Sequence, residues 1–439
     1  MKTLRIVLVV LVALAVLLSG GAPTTAESGT TERVSVSSDE NEANGSSRGS
    51  SISANGRYVA FWSYASNLVP DDTNESADVF VRDRLAGTTE RVSVDSDENE
   101  ANNSSYAPAI SGDGRYVAFW SYASNLVADD TNERDDIFVR DRLAGTTERV
   151  SVDSDGNEAN ENSTFPAISA GGRYVAFPSF ASNLVPNDTN SLWDVFVHDR
   201  ITGTTQRVSV DSDGNEGNDS SSWVSPGISP DGRYVAFASQ ASNLVLNDTN
   251  EVFDIFVRDL LMGKTERVSV DSDGNESDDW SCFPVISWGG GHVAFWSNAT
   301  NLVAADTNAL RDVFARDRLG GTTEGVSVDS DGNQGSGDMF PTQCTLLAEL
   351  DAGAPAISQD GRYVAFSSEA DDLVPDDTNE ARDVFVRDRG LMPSVGGVAE
   401  LPEATDSSTG SYIVLAGLAA AAVAALTAGA WYGRRRRLT

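Results

Sequence analysis

The chain has 439 residues, of which 66 are acidic and 31 basic, giving a formal charge of −35. That balance excludes nucleic acid and anionic membrane surfaces as partners, because phosphate binding needs a basic footprint. Two cysteines and two histidines leave little material for a zinc site or a Ser-His-Asp set.

Residues 1–26 read as a secretory signal. Lys2 and Arg5 make the basic start, residues 6–18 the apolar core, and small residues around Ala22 or Ala26 the cleavage site. That core is too short to span a bilayer, and no cysteine follows it to carry a lipid.

From residue 30 to residue 390 a block of about 58 residues recurs, which fixes a repeat architecture before any motif is read. The marker Gly-Arg-Tyr-Val-Ala-Phe stands at 56–61, 114–119, 172–177, 232–237 and 361–366, with a worn copy, Gly-Gly-His-Val-Ala-Phe, at 290–295. In the second copy the strand-like runs are 108–111, 115–121, 136–141 and 147–152, each rich in Val, Ile, Phe, Tyr or Thr and bounded by turn residues. Four antiparallel strands per period predict one propeller blade, and no sustained 3.6-residue apolar pattern interrupts them. The fourth-strand motif Thr-Thr-Glu-Arg-Val-Ser-Val appears first at 30–36, while the last copy stops after its third strand at 383–388. The expectation is an all-β, six-bladed propeller, with the strand at 30–36 paired beside 383–388 to close the ring and remove its free edges.

Residues 391–411 are a polar, Pro- and Gly-containing stalk. Residues 412–432 carry no charge over a length that spans a bilayer, and 433–439 hold four arginines, so one C-terminal transmembrane helix with an inward basic tail is expected. Residues 401–405 faintly resemble a sortase sorting signal, with Thr and Gly out of place, so stalk plus permanent anchor is the reading kept.

The sequence Ser-x-Asp-Gly-Arg-Tyr-Val-Ala-Phe followed by Asp-(Val/Ile)-Phe-Val-Arg-Asp resembles the TolB-type, WD40-like propeller repeat over roughly residues 30–390. The Trp-Asp ending of true WD40 blades is missing. The resemblance implies a propeller. It carries no shared catalytic residues, and its members include binding proteins and propeller domains attached to enzymes.

Strand alternation puts the loops after the second and fourth strands at one end, and those loops carry the acids. Five fourth-strand loops place oxygens at alternate positions, as calcium loops begin: Asp95, Asp97 and Asn99; Asp153, Asp155 and Asn157; Asp211, Asp213 and Asn215; Asp271, Asp273 and Asn275; Asp329, Asp331 and Asn333. Glycine at the fourth position of four of these loops, and no Glu at the twelfth, exclude an EF-hand, and the same residues are ordinary turn formers. Ca²⁺ is thus the one cofactor these loops suggest. Tyr106, Phe165, Trp223 and Phe283, just before the first strands, are the candidates to ring the channel mouth and stack on a ligand, or else to pack between blades. Cys282 and Cys344 are the candidate disulfide, and His198 and His292 stand where the repeat has Arg and Tyr. The reading is a monomeric, membrane-anchored, non-catalytic binding or adhesion module facing outward, its partner an extracellular protein or glycan. The alternative is a propeller hydrolase acting on extracellular polysaccharide or peptide.

Overall fold

A computed structural model describes residues 32–222, 224–304, 306–337, 354–375, 377 and 383–390. The chain divides into units 1–392 and 393–439, and every described residue belongs to the first. The expected signal, stalk, spanning helix and basic tail lie outside the described residues, as do Trp223 and Cys344. Among the described residues no helix is long and apolar enough to cross a membrane.

The first blade is β1 (Ser47–Ile52), β2 (Tyr58–Ser63), β3 (Asp78–Asp83) and β4 (Thr88–Arg91). The second is β5 (Ser105–Ile110), β6 (Tyr116–Ser121), β7 (Asp136–Asp141) and β8 (Thr146–Arg149). The third is β9 (Ala167–Ile168), β10 (Tyr174–Ser179), β11 (Asp194–Asp199) and β12 (Thr204–Arg207). The fourth is β13 (Gly227–Ile228), β14 (Tyr234–Ser239), β15 (Asp254–Asp259) and β16 (Lys264–Arg267). The fifth is β17 (Ser281–Ile286), β18 (His292–Ser297), β19 (Asp312–Asp317) and β20 (Thr322–Gly325), and the sixth β21 (Ala356–Ile357), β22 (Tyr363–Ser368) and β23 (Asp383–Asp388). All pairings between these strands are antiparallel, and the six sheets surround a channel walled by their first strands. The protein is a six-bladed β-propeller.

The third strand of the second copy runs as expected, but the fourth stops at Arg149 instead of Val152. The cause is Ser151. Its hydroxyl accepts from Ile137 N at 3.0 Å and donates to Asp136, so a side chain replaces the next ladder carbonyl.

The core is a set of layers between blades. On β6, Val117 and Phe119 pack with the first blade, while Ala118 and Trp120 face the third. Period-two alternation therefore buries both faces of a central strand. Gly114 shows why the marker begins with glycine: its φ is +76°, and a Cβ there would sit 2.1 Å from the Tyr58 ring of the preceding blade.

Ring closure departs from expectation. Residues 32–43 dock on the first blade as every fourth-strand end docks on its successor. Arg84 donates to Glu32, Arg82 to Glu40, and Thr89 N to Ser38 Oγ at 2.9 Å. The other half of the interlock is not seen among the described residues. There β23 ends a three-stranded sheet, and its Val384 and Val386 are 75% and 65% exposed, where Val79 and Val81 of β3 are fully buried. The docking contacts run through side chains and carbonyls, so they form without the backbone ladder to β23.

Deleting residues 32–43 removes those contacts and uncovers the Phe61, Leu68 and Phe80 cluster against which Ala43 packs. The melting temperature should fall by several degrees on this account. An unchanged thermal denaturation midpoint would show that the segment does not hold the first blade.

Candidate ligand site at the channel mouth

The channel encloses about 1030 Å³ and is walled by Ser, Ala, Gly, Pro and Ile from all six first strands. Among the described residues Arg48 is the one charged residue in its wall, and they form no acid–base pair there. Val384 also borders it, which makes the channel continuous with the gap beside β23.

Second strands end where first strands begin, so the residues just past those ends stand at one end of the channel, one strand out from its wall. They are Tyr64, Tyr122 and Phe180 in the first three blades, and Gln240, Asn298 and Glu369 in the others. Tyr64 is 52% exposed and Tyr122 47%, in a fold whose other rings are mostly sealed. Between them stands Tyr106, its ring centroid 5.0 Å from both Trp62 and Trp120 and its hydroxyl 3.2 Å from that of Tyr64. Burial pushes the Tyr106 hydroxyl up to about 12. Phe180 and Trp193 extend the aromatic side, their centroids 5.9 Å apart.

Beside Tyr122 lies Asp135, 5% exposed, with Oδ1 buried and without a hydrogen-bond partner. Burial, reinforced by Asp136, pushes its carboxyl up to about 7 against the pull of Arg134. The corresponding residues of the neighbouring copies are Ala77, Trp193, Phe253 and Arg311. Sequence reasoning passed over Asp135, Tyr64 and Tyr122. The available signal was this variation at two fixed positions of an otherwise repetitive chain.

Of the described aromatic residues expected at the mouth, Tyr106 is partly open and the other two are sealed. Phe165 and Phe283 are 0% and 1% exposed and pack on Trp120 and Trp296 between blades. Cys282 is buried and is not a free thiol. His198 is buried with Nδ1 2.9 Å from Thr205 Oγ1, and burial lowers its pKa, as it does for His292. His292 Nε2 lies 3.9 Å from Asp317 Oδ2, beyond hydrogen-bond reach.

The acidic loops are closed by their own donors. Asp153 Oδ1 accepts from Asp155 N at 2.9 Å and Asn157 N at 2.8 Å, while Oδ2 accepts from Asn157 Nδ2 at 2.8 Å. Asp95, Asp211, Asp271 and Asp329 repeat this pattern. Ser37 does the same with a hydroxyl, accepting from Asp39 N and Asn41 N at 3.2 and 3.1 Å. An acceptor that turns the chain is what this position supplies, and a neutral one suffices. The tips also do not gather over the mouth: Ser154 Oγ, for one, accepts from Thr205 N on the next blade's outer strand at 3.0 Å.

A tighter carboxylate group lies elsewhere. Asp72, Asp78 and Glu100 bring oxygens within 4.8 Å of one another, with Arg91 Nη1 2.6 Å from Glu100 and 3.7 Å from Asp78. The cation already among them is a guanidinium. Burial nonetheless pushes Asp78 up to about 6.

No protein-family model matches the chain, and no curated protein matches it. Among solved structures, TolB from Acinetobacter baumannii is 16% identical with a TM-score of 0.41, covering 71% of this chain, which spans 57% of that protein. TolB from Agrobacterium tumefaciens is 17% identical with a TM-score of 0.40, covering 64% of this chain and 80% of its own. An oligogalacturonate lyase from Vibrio parahaemolyticus is 12% identical with a TM-score of 0.45, covering 84% and 82%. At these levels no activity or ligand passes from those proteins to this chain.

Two outcomes follow for the charged groups. Asp135 has a folded-state pKa of about 7 against 3.8 ordinarily, so the folded protein holds the extra proton between those values. Its contribution to stability therefore falls as pH rises through that window. Asp135→Asn should raise the melting temperature at pH 8 and leave it unchanged at pH 4, and the opposite order in thermal scans would contradict the burial argument. For the loops, Asp153→Ser should keep the melting temperature within about 1 °C, with or without calcium, because Ser37 shows the hydroxyl to be an adequate cap. A calcium-dependent gain that Asp153→Ser removes would favour the metal reading of these loops.

Proposed function

We propose that the protein is a non-catalytic binding module, displayed outside the cell by the segment at 412–432, that holds a glycan over the first three blades. The observation that carries this reading is the half-exposed tyrosine cluster Tyr64, Tyr106 and Tyr122 beside the channel. Rings of this kind offer apolar faces to sugar C–H groups and hydroxyls to sugar oxygens, while Trp62 and Trp120, edge-on or tilted against them, keep them in place. Three aromatic and three polar rim positions make the mouth one-sided, which suits a single ligand better than six equivalent ones.

A second reading, hydrolysis of an extracellular polysaccharide or peptide, has one observation in its favour. Asp135 is a carboxyl that carries a proton near neutral pH at the edge of the cluster, as a general acid must.

Full-length protein probed on glycan and peptide arrays tests both readings. A retained glycan, with binding weakened about tenfold or more by Tyr64→Ala plus Tyr122→Ala, is the expected result. Glycan shortened during incubation, and left intact by Asp135→Asn, would replace binding by hydrolysis. Binding to peptides alone, or unaltered glycan binding in the double variant, would remove the mouth as the glycan site.

A further inference from the structure

Four blades end their fourth strand in an arginine that sits inside three carboxylates. Nη1 of Arg91, Arg149, Arg207 and Arg267 lies 2.6–2.8 Å from the corresponding glutamate, Glu100, Glu158, Glu216 or Glu276. The two aspartates of each group stand 3.0–3.9 Å from the same nitrogen. Each arginine pairs across the sheet with a phenylalanine, Phe80 opposite Arg91 in the first blade, and its side chain is only 8–9% exposed.

The fifth blade keeps the site and lacks the arginine. Gly325 stands opposite Phe314, and Gln334 replaces the glutamate. Asp306 and Asp312 remain. Gln334 Nε2 donates to Asp306 Oδ1 at 3.0 Å and Asp312 Oδ2 at 3.3 Å, taking up part of the missing donor's work without its volume. What is left is a cavity of about 330 Å³ bordered by Asp312, Gln334, Gly325, Phe314 and Glu324, and by Arg387, whose Nη1 is turned to Asp329 O at 2.8 Å. Asp306 Oδ2 is buried with no hydrogen-bond partner. A buried oxygen of this kind is destabilising until a donor reaches it.

We propose that this cavity binds a guanidinium group supplied from outside the fold, as in arginine or another alkylguanidinium. The ligand class is read from the molecule itself, since four copies of the same cluster hold a guanidinium in place. The group has a planar set of donors for the two aspartates, and its alkyl stem would lie along Phe314 as the arginine stems lie along theirs. Glu324, its side chain 48% exposed, stands at the border of the cavity and is already paired with Arg389, so the charge that meets the ligand is that of the two aspartates. This site is independent of the channel mouth.

Isothermal calorimetry and thermal scans on the full-length protein test it, with methylguanidinium and free arginine as probes and methylammonium and calcium as controls. Saturable binding of both guanidinium probes, with the melting temperature rising about 1–2 °C at tenfold excess over Kd, is expected. Binding of methylguanidinium but not arginine would still place the group and exclude the amino acid as its source. Gly325→Arg supplies the group internally. Its Cβ meets only Val328 Cγ1 at an ordinary 3.7 Å, so the variant should fold, melt higher and no longer bind either probe. Asp306→Asn, a second variant, should weaken binding at least tenfold. No saturable binding, equal response to methylammonium or calcium, or binding that survives Gly325→Arg would each overturn the proposal.

Discussion

The second, third, fifth and sixth blades are each held to the one before by the arginine that follows the third strand, and most of the ring is assembled from that contact. Arg142 donates to Glu90 of the first blade while its guanidinium lies 4.4 Å from the Tyr58 ring centroid, and Arg57 covers Tyr58 from 4.8 Å. Arg57 in turn forks onto Asp83 at 2.9 and 2.6 Å. Tyrosine, two arginines and two acids thus weld neighbouring blades. Fork geometry and cation–π contact both favour arginine over lysine here. The chain supplies its own control. In the third blade Gln206 replaces the glutamate, and in the fourth Leu260 replaces the arginine that would have met it. Both ends of the contact change together, as a direct interaction requires.

Repetition made the architecture legible before any coordinate was known. Period, strand number and strand order follow from turn residues and two-residue alternation, and the Asp-(Val/Ile)-Phe strands fall where their sequence put them. The aromatic residues at the mouth were harder. The first strands carry an extra left-handed residue, Ala107 at φ 45°, Phe165 at 46° and Phe283 at 55°. One inserted residue reverses which side chain faces which side, so counting alternation through it misplaces the rings. Phe165 and Phe283 are buried for that reason, and the open rings belong to the ends of the second strands.

The acidic loops were ambiguous for a different reason. Asp-x-Asp-x-Asn describes a calcium ligand set and a self-capped turn equally well, because both need oxygens at alternate positions. Only the direction of the donors distinguishes them, and Ser37 in the leading position shows a turn that works without a carboxylate. A part of the charge surplus resides in clusters such as Arg91 with Asp72, Asp78 and Glu100, where one base serves three acids. Crowding of this kind holds Asp130, Asp188 and Asp248 at about 6, with burial the first cause in each.

Five of the junctions between neighbouring blades contain hydrophobic side chains from both partners, whereas the cluster on the outer side of the first blade is built from that blade and the N-terminal segment among the described residues. Among the described residues the ring therefore has a seam, and a ring with a seam behaves as a linear array bent round on itself. Its stability is a sum of nearest-neighbour couplings, with one terminal unit tied down on a single side. Breathing motions should be concentrated in the sixth blade and damped toward the third and fourth, so that the wall of the channel is compliant at one sector and stiff at the opposite one. A ligand seated over the first three blades would have one end on the stiff arc, at the third blade, and the other beside the compliant sector, so that movement of the sixth blade would be felt at one edge of the seat only.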